Sequence, residues 1–281
     1  MKVAVIGVGL IGGSMALKLR EKKFSEFFFG IDRDERNLLS AKNLGIIDEI
    51  TGFETGIKNS DIIILAIPVD AAKNVLPEIL DLINDHQTVV DVGSTKSEIA
   101  EIVKNHPKRN RFVAFHPMWG TENSGPESAT KDSFSGKAAV ICDRELSAED
   151  ALKTAQNIAE NLDMHLVFMN SADHDLHTAY ISHISHITSY ALANTVLEKE
   201  REEETIFQLA SSGFSSTVRL AKSHPEMWVP IFKQNKENVL DVLNEHISQL
   251  RKFKSALEKE NWELLEELIV NANRIRPILE K

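Results

Sequence analysis

Gly7-Val8-Gly9-Leu10-Ile11-Gly12 holds three glycines at the spacing that lets main-chain N–H groups close around an anion, directly after the apolar run Lys2–Ile6. The first glycine permits a tight turn, the second a close approach of a pyrophosphate, and the third close packing of helix on strand. Twenty residues past Gly12, a second apolar run, Phe27–Ile31, ends in Asp32. A carboxylate there accepts hydrogen bonds from adenosine ribose hydroxyls and repels a 2′-phosphate, which favours NAD over NADP. Arg33 follows at once and could instead meet a 2′-phosphate. Ala66-Ile67-Pro68 closes another apolar run and falls on the carboxyl edge, where ligands bind in open α/β folds. Pro68 serves equally well as a helix-entry residue. The expected cofactor contacts are Gly7, Val8, Gly9, Leu10, Ile11, Gly12, Asp32, Arg33, Ala66, Ile67 and Pro68, with Ser94 facing both cofactor and reacting centre.

Two further segments reach the same edge. Asp91-Val-Gly-Ser94-Thr-Lys96 follows one buried run, and His116-Pro-Met-Trp-Gly-Thr121-Glu122-Asn-Ser-Gly125 follows the next, Phe112–Phe115. A general base needs a pKa near the working pH, and imidazole has one; Pro117 holds His116 in extended backbone, and Ser94 and Glu122 are hydrogen-bonding groups at the same edge. Four histidines, His174, His177, His183 and His186, then lie within thirteen residues. On a regular helix, taking His174 as zero, the others fall at about 300°, 180° and 120°, so they do not converge on one ion. HExxH is absent too, and no metal is expected. His186 shares a stripe with Ala179, Ser182 and Ala193, which leaves room for a ligand or a close neighbour. Arg219, in an apolar local pattern, must fork against a carboxylate or phosphate, either a ligand's or the protein's own; Trp228 suits a core or a cleft wall.

Alternating elements must position these groups. Lys2–Ile6, Phe27–Ile31, Ile62–Ile67, Thr88–Val92, Phe112–Phe115, Ala138–Cys142 and His165–Met169 read as strands of a mostly parallel sheet buried on both faces. Helices are expected at Ile11–Lys22, Arg36–Leu44, Ala71–Leu82, Lys96–Val103 and Ala148–Leu162, the last capped by Ser147. After Met169 strand signals stop, and Ser171–Glu200, Met227–Lys254 and Ala256–Ile275 read as helices, with Ser-Ser-Gly at 211–213 as punctuation. The expectation is a Rossmann-like α/β dinucleotide-binding domain over 1–169, followed by an all-α domain over 170–281 for substrate and dimerisation.

Composition narrows the classes. The 281 residues carry a net charge of −10 with no basic half, against a nucleic-acid partner. No run approaches a membrane span or a signal peptide, so a cytoplasmic protein without a membrane partner is expected. The single cysteine, Cys142, ends a strand-like run and reads as a small core residue.

Together, the glycine loop, Asp91–Lys96, the 116–125 segment, His174-Asp175, Ser182-His183-Ile184-Ser185-His186, Arg219 and Trp228 resemble the prephenate/arogenate dehydrogenase family of tyrosine biosynthesis, over nearly the whole chain. The resemblance implies oxidative decarboxylation with NAD, giving 4-hydroxyphenylpyruvate, or tyrosine if arogenate is the substrate. It implies that His116 contacts the ring hydroxyl with Ser94 as its polar neighbour, and that Thr121 and Glu122 lie near the nicotinamide. It makes His186 a second active-site histidine beside His183, Arg219 the holder of a substrate carboxylate, and Trp228 a residue serving the partner subunit of a homodimer. Ser215 and Ser216 stand where some relatives carry charge; neutral hydroxyls suit the ketone of prephenate better than the ammonium of arogenate. A 3-hydroxyacid-type dehydrogenase and a non-catalytic NAD-binding regulator are the rival readings.

Overall fold

The computed structural model describes residues 1–201 and 205–279. Among these residues eight strands form one sheet: β1 (Lys2–Ile6), β2 (Phe27–Ile31), β3 (Glu49–Ile50), β4 (Ile62–Leu65), β5 (Thr88–Asp91), β6 (Phe112–Pro117), β7 (Ala138–Cys142) and β8 (His165–Met169). Their order is β3-β2-β1-β4-β5-β6-β7-β8, parallel throughout except between β6 and β7. The first six follow the doubly wound order, which puts a crevice at the carboxyl ends of β1 and β4 where the winding reverses.

The sheet is apolar on both faces. Val3 and Val5 of β1 pack with Met15 and Leu19 of α1 (Leu10–Glu21) and with Ala155 and Ile158 of α6 (Glu149–Asn161). Ala4 and Ile6 face the other layer, built by α3 (Phe53–Lys58), α4 (Val69–Leu82) and α5 (Ser97–Ile102) through Ile57, Leu76, Ile79 and Ile99. On the α1 and α6 side, α2 (Glu35–Asn43), which buries Leu38 and Ala41, starts on Asp34, whose carboxylate accepts from the Arg36 N–H. The expected strands all form. The sequence reading missed β3 and α3, which at two and six residues are too short to show a period. Ser147 does not cap α6: its hydroxyl donates to the Phe112 carbonyl, and Ala148 occupies the cap position.

The helical half starts at α7 (Ser171–Thr178), capped by Asn170, whose side chain accepts from the Asp173 N–H at 2.7 Å. The expected helix over 171–200 forms without a break, as α7, a π turn (Ala179–His183) and α8 (Ile184–Glu200). After α9 (Ser212–Thr217), the run expected over 227–254 divides at Asn235 into α10 (Pro225–Gln234) and α11 (Lys236–Glu258). The last expected helix is broken near Glu260, which has a left-handed φ of 51°, before α12 (Trp262–Asn273) and α13 (Arg276–Leu279). No described helix is long and apolar enough to cross a membrane.

Candidate active site

The glycine loop joins β1 to α1. Gly7 sits at φ +93°, and a Cβ there would lie 2.3 Å from the Ala66 carbonyl oxygen; at Gly12 it would lie 2.2 Å from the Gly7 oxygen. Both positions admit only hydrogen, so the loop packs against the end of β4. Gly9 differs, because nothing stands within 4 Å of its missing Cβ. It borders an apolar chamber of about 240 Å³, together with Leu10, Ile11, Ala66, Ile67 and Pro68. Gly9 is also the cap residue of α1, with no side-chain cap and no acid in the first turn. Uncapped N–H groups beside open space suit a pyrophosphate. Val8 does not line the chamber; its N–H donates to Asp32 at 3.1 Å, and Asp32 also accepts from Asp34. That pair of bonds fixes the carboxylate at the end of β2, where a ribose would lie, while Arg33 stands exposed beside it.

Deeper in, a second chamber of about 190 Å³ shares the wall residues Ser94, His116, Trp119, Gly120, Thr121 and Met227 with the first. His116 lies within β6, paired with Val140 of β7, rather than just beyond the strand end as the sequence reading placed it. Thr178, Ser182, His183, His186, Leu220 and Trp228 close the inner chamber from the helical side. The Ser94 hydroxyl makes no hydrogen bond with any described residue, which leaves it free for a ligand.

The histidines converge because of the π turn. Its i→i+5 bonds wind at roughly 80° per residue, so five residues fall about 90° behind α-helical phase. That lag overturns the regular-helix arithmetic, bringing His183 and His186 to the side of His174 while His177 stays exposed. His186 stacks on Trp228 with ring centroids 3.5 Å apart, and its Nδ1 lies 3.0 Å from the Ser182 carbonyl oxygen. Trp228 thus walls the chamber of its own chain. No group of three or more His, Cys, Asp and Glu among the described residues is arranged to hold a metal.

Behind the chamber lies a buried polar network that composition and spacing did not reveal. His116 Nδ1 is 2.8 Å from His174 Nε2, and His174 Nδ1 is 2.8 Å from an Asp175 carboxylate oxygen. Asp175 also accepts from the N–H groups of Lys96 and Ser97 at the start of α5, each at 2.8 Å. The Lys96 ammonium, fully buried, pairs with Asp91 at the end of β5. Burial, reinforced by the neighbouring His174 and the Lys96 charge, holds His116 well below its ordinary pKa. Burial likewise lowers His174, takes His183 down to about 4, and lowers His186. The only early signal of this network was the motif pair Asp91…Lys96 and His174-Asp175, whose members lie 79 residues apart at the Lys96–Asp175 contact.

The rim is made of charges. Arg219 donates to Glu122 at 2.8 Å, joining the helical half to the 116–125 segment. Its own main chain and the Arg219 bond hold Glu122 below the ordinary carboxylate range. Neither residue lines a chamber, although their neighbours Thr121 and Leu220 do. Ser215 and Ser216, expected along the substrate side chain, lie exposed on α9 outside both chambers; Ser216 donates to the Gly213 carbonyl. Cys142 is buried, and burial pushes its thiol up to about 12, as suits a core residue.

The chain matches two family models in succession: prephenate dehydrogenase, nucleotide-binding domain, over residues 15–168, and prephenate dehydrogenase, dimerization domain, over 170–271. Prephenate dehydrogenase of Bacillus subtilis is 30% identical over 266 residues, covering 94% of this chain and 72% of that protein. Cyclohexadienyl dehydrogenase of Zymomonas mobilis is 26% identical, covering 98% and 94%. Among solved structures, prephenate dehydrogenase from Aquifex aeolicus in complex with hydroxyphenyl propionate and NAD+ superposes with a TM-score of 0.91 at 29% identity, over 99% of this chain and 98% of that one. The Synechocystis arogenate dehydrogenase gives 0.77 at 26% identity, over 99% of each chain. A glycine-loop chamber opening onto a histidine-lined one, in a chain that the two models together match over most of its length, makes this protein a member of the prephenate dehydrogenase family, an NAD-dependent oxidoreductase.

Proposed function

We propose that this chain oxidatively decarboxylates prephenate to 4-hydroxyphenylpyruvate and CO2, with the nicotinamide in the outer chamber and the ring in the inner one. The position of His116 in the wall common to both chambers carries the reading. Gly9, Leu10, Ile11 and Ala66-Ile67-Pro68 would hold NAD, which would supply the hydride acceptor for the ring carbon that bears the hydroxyl. Held neutral by burial, His116 takes the hydroxyl proton as the hydride leaves and returns it to the phenolic oxygen once the ring carboxylate has departed. Ser94 holds the same oxygen in line. His186 and His183 face the ring substituents, and Arg219 at the rim takes the side-chain carboxylate. Loss of CO2 restores aromaticity, so the protein's part is orientation and one proton.

Prephenate is preferred over arogenate for a reason different from the one first expected. Ser215 and Ser216 lie outside the chamber, but among the described residues no Asp or Glu lines it, and Glu122 is already paired with Arg219. An ammonium drawn from water would find no counter-charge among those lining residues, whereas a ketone needs none. Following NADH formation with prephenate, arogenate and hydroxyacids, with NAD and with NADP, tests the reading. Prephenate with NAD is expected to give the highest kcat/KM; equal use of arogenate and NADP would overturn both preferences.

The helical half completes itself with a second copy. Leu209, Trp262, Ile269, Val270 and Ile278 are large apolar side chains left exposed, and α12 buries no residue at all. Sedimentation at micromolar concentration is expected to show a homodimer.

A further inference from the structure

Hydrogen counting along the buried network assigns the one proton of each neutral ring to a particular nitrogen. The Asp175 carboxyl is pushed up by burial but held below its ordinary pKa by the bonds from His174 and the Ser97 N–H, so it is ionised and can only accept. His174 Nδ1, 2.8 Å away, must therefore carry a hydrogen. A neutral imidazole has only one, so His174 Nε2 is bare and accepts from His116 Nδ1. The single hydrogen of neutral His116 is then used, and its Nε2, which bonds to no described residue, is left bare at the junction of the chambers.

A second branch leaves the same residue. The main-chain oxygen of Asp175 accepts from the Asn235 side-chain amide at 2.6 Å. The Asn235 carbonyl oxygen accepts from Asn238 at 2.8 Å, which fixes the orientation of the amide. The second amide hydrogen is directed to His183 Nδ1, 3.1 Å away, which must accept it. His183 therefore carries its hydrogen on Nε2. Asn235 is the residue at which α10 breaks from α11, so the interruption serves this bond.

We infer that Asp175 is a positioning residue that imposes opposite tautomers on the two rings. His116 is left with a bare Nε2 to take the substrate's proton, and His183 with an Nε2–H to donate a hydrogen bond. The catalytic half of this statement rests on His116 as the base of the proposed reaction; the tautomers themselves do not depend on which substrate is used.

The test uses the full-length enzyme labelled with 15N-histidine. Two-bond 1H–15N correlation spectra report which nitrogen of each neutral ring is protonated, and His116→Asn and His183→Asn identify the two signals. His116 is expected to carry its hydrogen on Nδ1, and His183 on Nε2. Asp175→Asn can present an amide donor to His174, which moves the His116 hydrogen to Nε2. A fall in kcat of about 10²–10⁴-fold should follow, with NAD affinity within twofold of the starting protein. A wild-type spectrum with His116 protonated on Nε2, or an Asp175→Asn kcat within threefold of wild type, overturns the inference. Should Asp175→Asn not fold, His174→Gln and His174→Leu decide it, because a glutamine carbonyl can accept from His116 Nδ1 and leucine cannot. At least tenfold higher kcat for the glutamine variant is expected; equal values overturn the assignment. Substrate identity enters none of the spectra, so a failure of the prephenate reading leaves the tautomer result standing.

Discussion

The two chambers that meet at His116 are made of different material. The outer one is walled by a backbone loop and mostly apolar side chains: Gly9 at an uncapped helix start, Leu10 and Ile11 behind it, and Ala66-Ile67-Pro68 at the strand end. The inner one is side chains, with three histidines, two tryptophans and several hydroxyls drawn from β6, the loops after β5 and β6, α7, the π turn, α8 and α10. A site built from main chain depends on backbone path and tolerates most neighbouring substitutions. A site built from side chains depends on individual atoms and can be lost one residue at a time.

His116→Asn probes that difference most directly. Turnover should fall by about 10²–10⁴-fold while NAD affinity, measured by calorimetry, stays nearly unchanged. Near-wild-type turnover would remove His116 as the base, and a large loss of NAD binding would show that the chambers are not separable. The second effect concerns acid. An unfolded histidine protonates near 6.5, whereas folded His183 stays neutral until about 4, so the folded state binds fewer protons between these values. The corresponding stability is fully present above about pH 6.5 and is lost as pH falls toward 4, by about 3 kcal/mol for His183 alone. His116, His174 and His186, also lowered, act in the same direction. Urea midpoints at pH 7 and pH 4.5 check this, and His183→Asn should flatten part of the slope.

Gly12→Ala strikes the outer chamber instead. A Cβ 2.2 Å from a main-chain oxygen cannot be relieved by a rotamer change, so a loss of about 1–3 kcal/mol is expected together with weaker NAD binding. Thermal melts with and without NAD separate the two losses. The smallest effect is expected at the rim. Arg219→Ala should raise KM for prephenate about tenfold with kcat little changed, because a ground-state carboxylate contact is removed. A fall in kcat at constant KM would assign Arg219 to the reacting centre.

The same contrast explains what the sequence made legible. Apolar runs, glycines and Asp32 are local signals, so the strands, the order of elements and the dinucleotide crevice could be read from neighbours within about thirty residues. His116 and Ser94 were legible because each ends a buried run on the carboxyl edge. The His116–His174–Asp175–Lys96 network was not, because it joins β6, α7 and the start of α5 across long separations. The relative placement of His183 and His186 failed for another reason: helical arithmetic assumes one period, and the π turn has a different one. Ser215 and Ser216 were drawn to the cleft by family likeness alone, and the short helix α9 carries them to the surface.

The π turn sets up a conflict between durability and use. Its carbonyls reach one residue farther than those of an α-helix, in a geometry that chains adopt only briefly and rarely. Rewinding Ala179–His183 to α-helical geometry, with all five residues kept, would fuse α7 and α8 into one regular helix. Everything after the turn would rotate by about 90°, carrying His186 off the chamber wall and away from the Trp228 ring on which it rests. Such a rewound chain would gain helical regularity and lose its chemistry, so screening for robustness alone would discard an irregularity on which the enzyme depends.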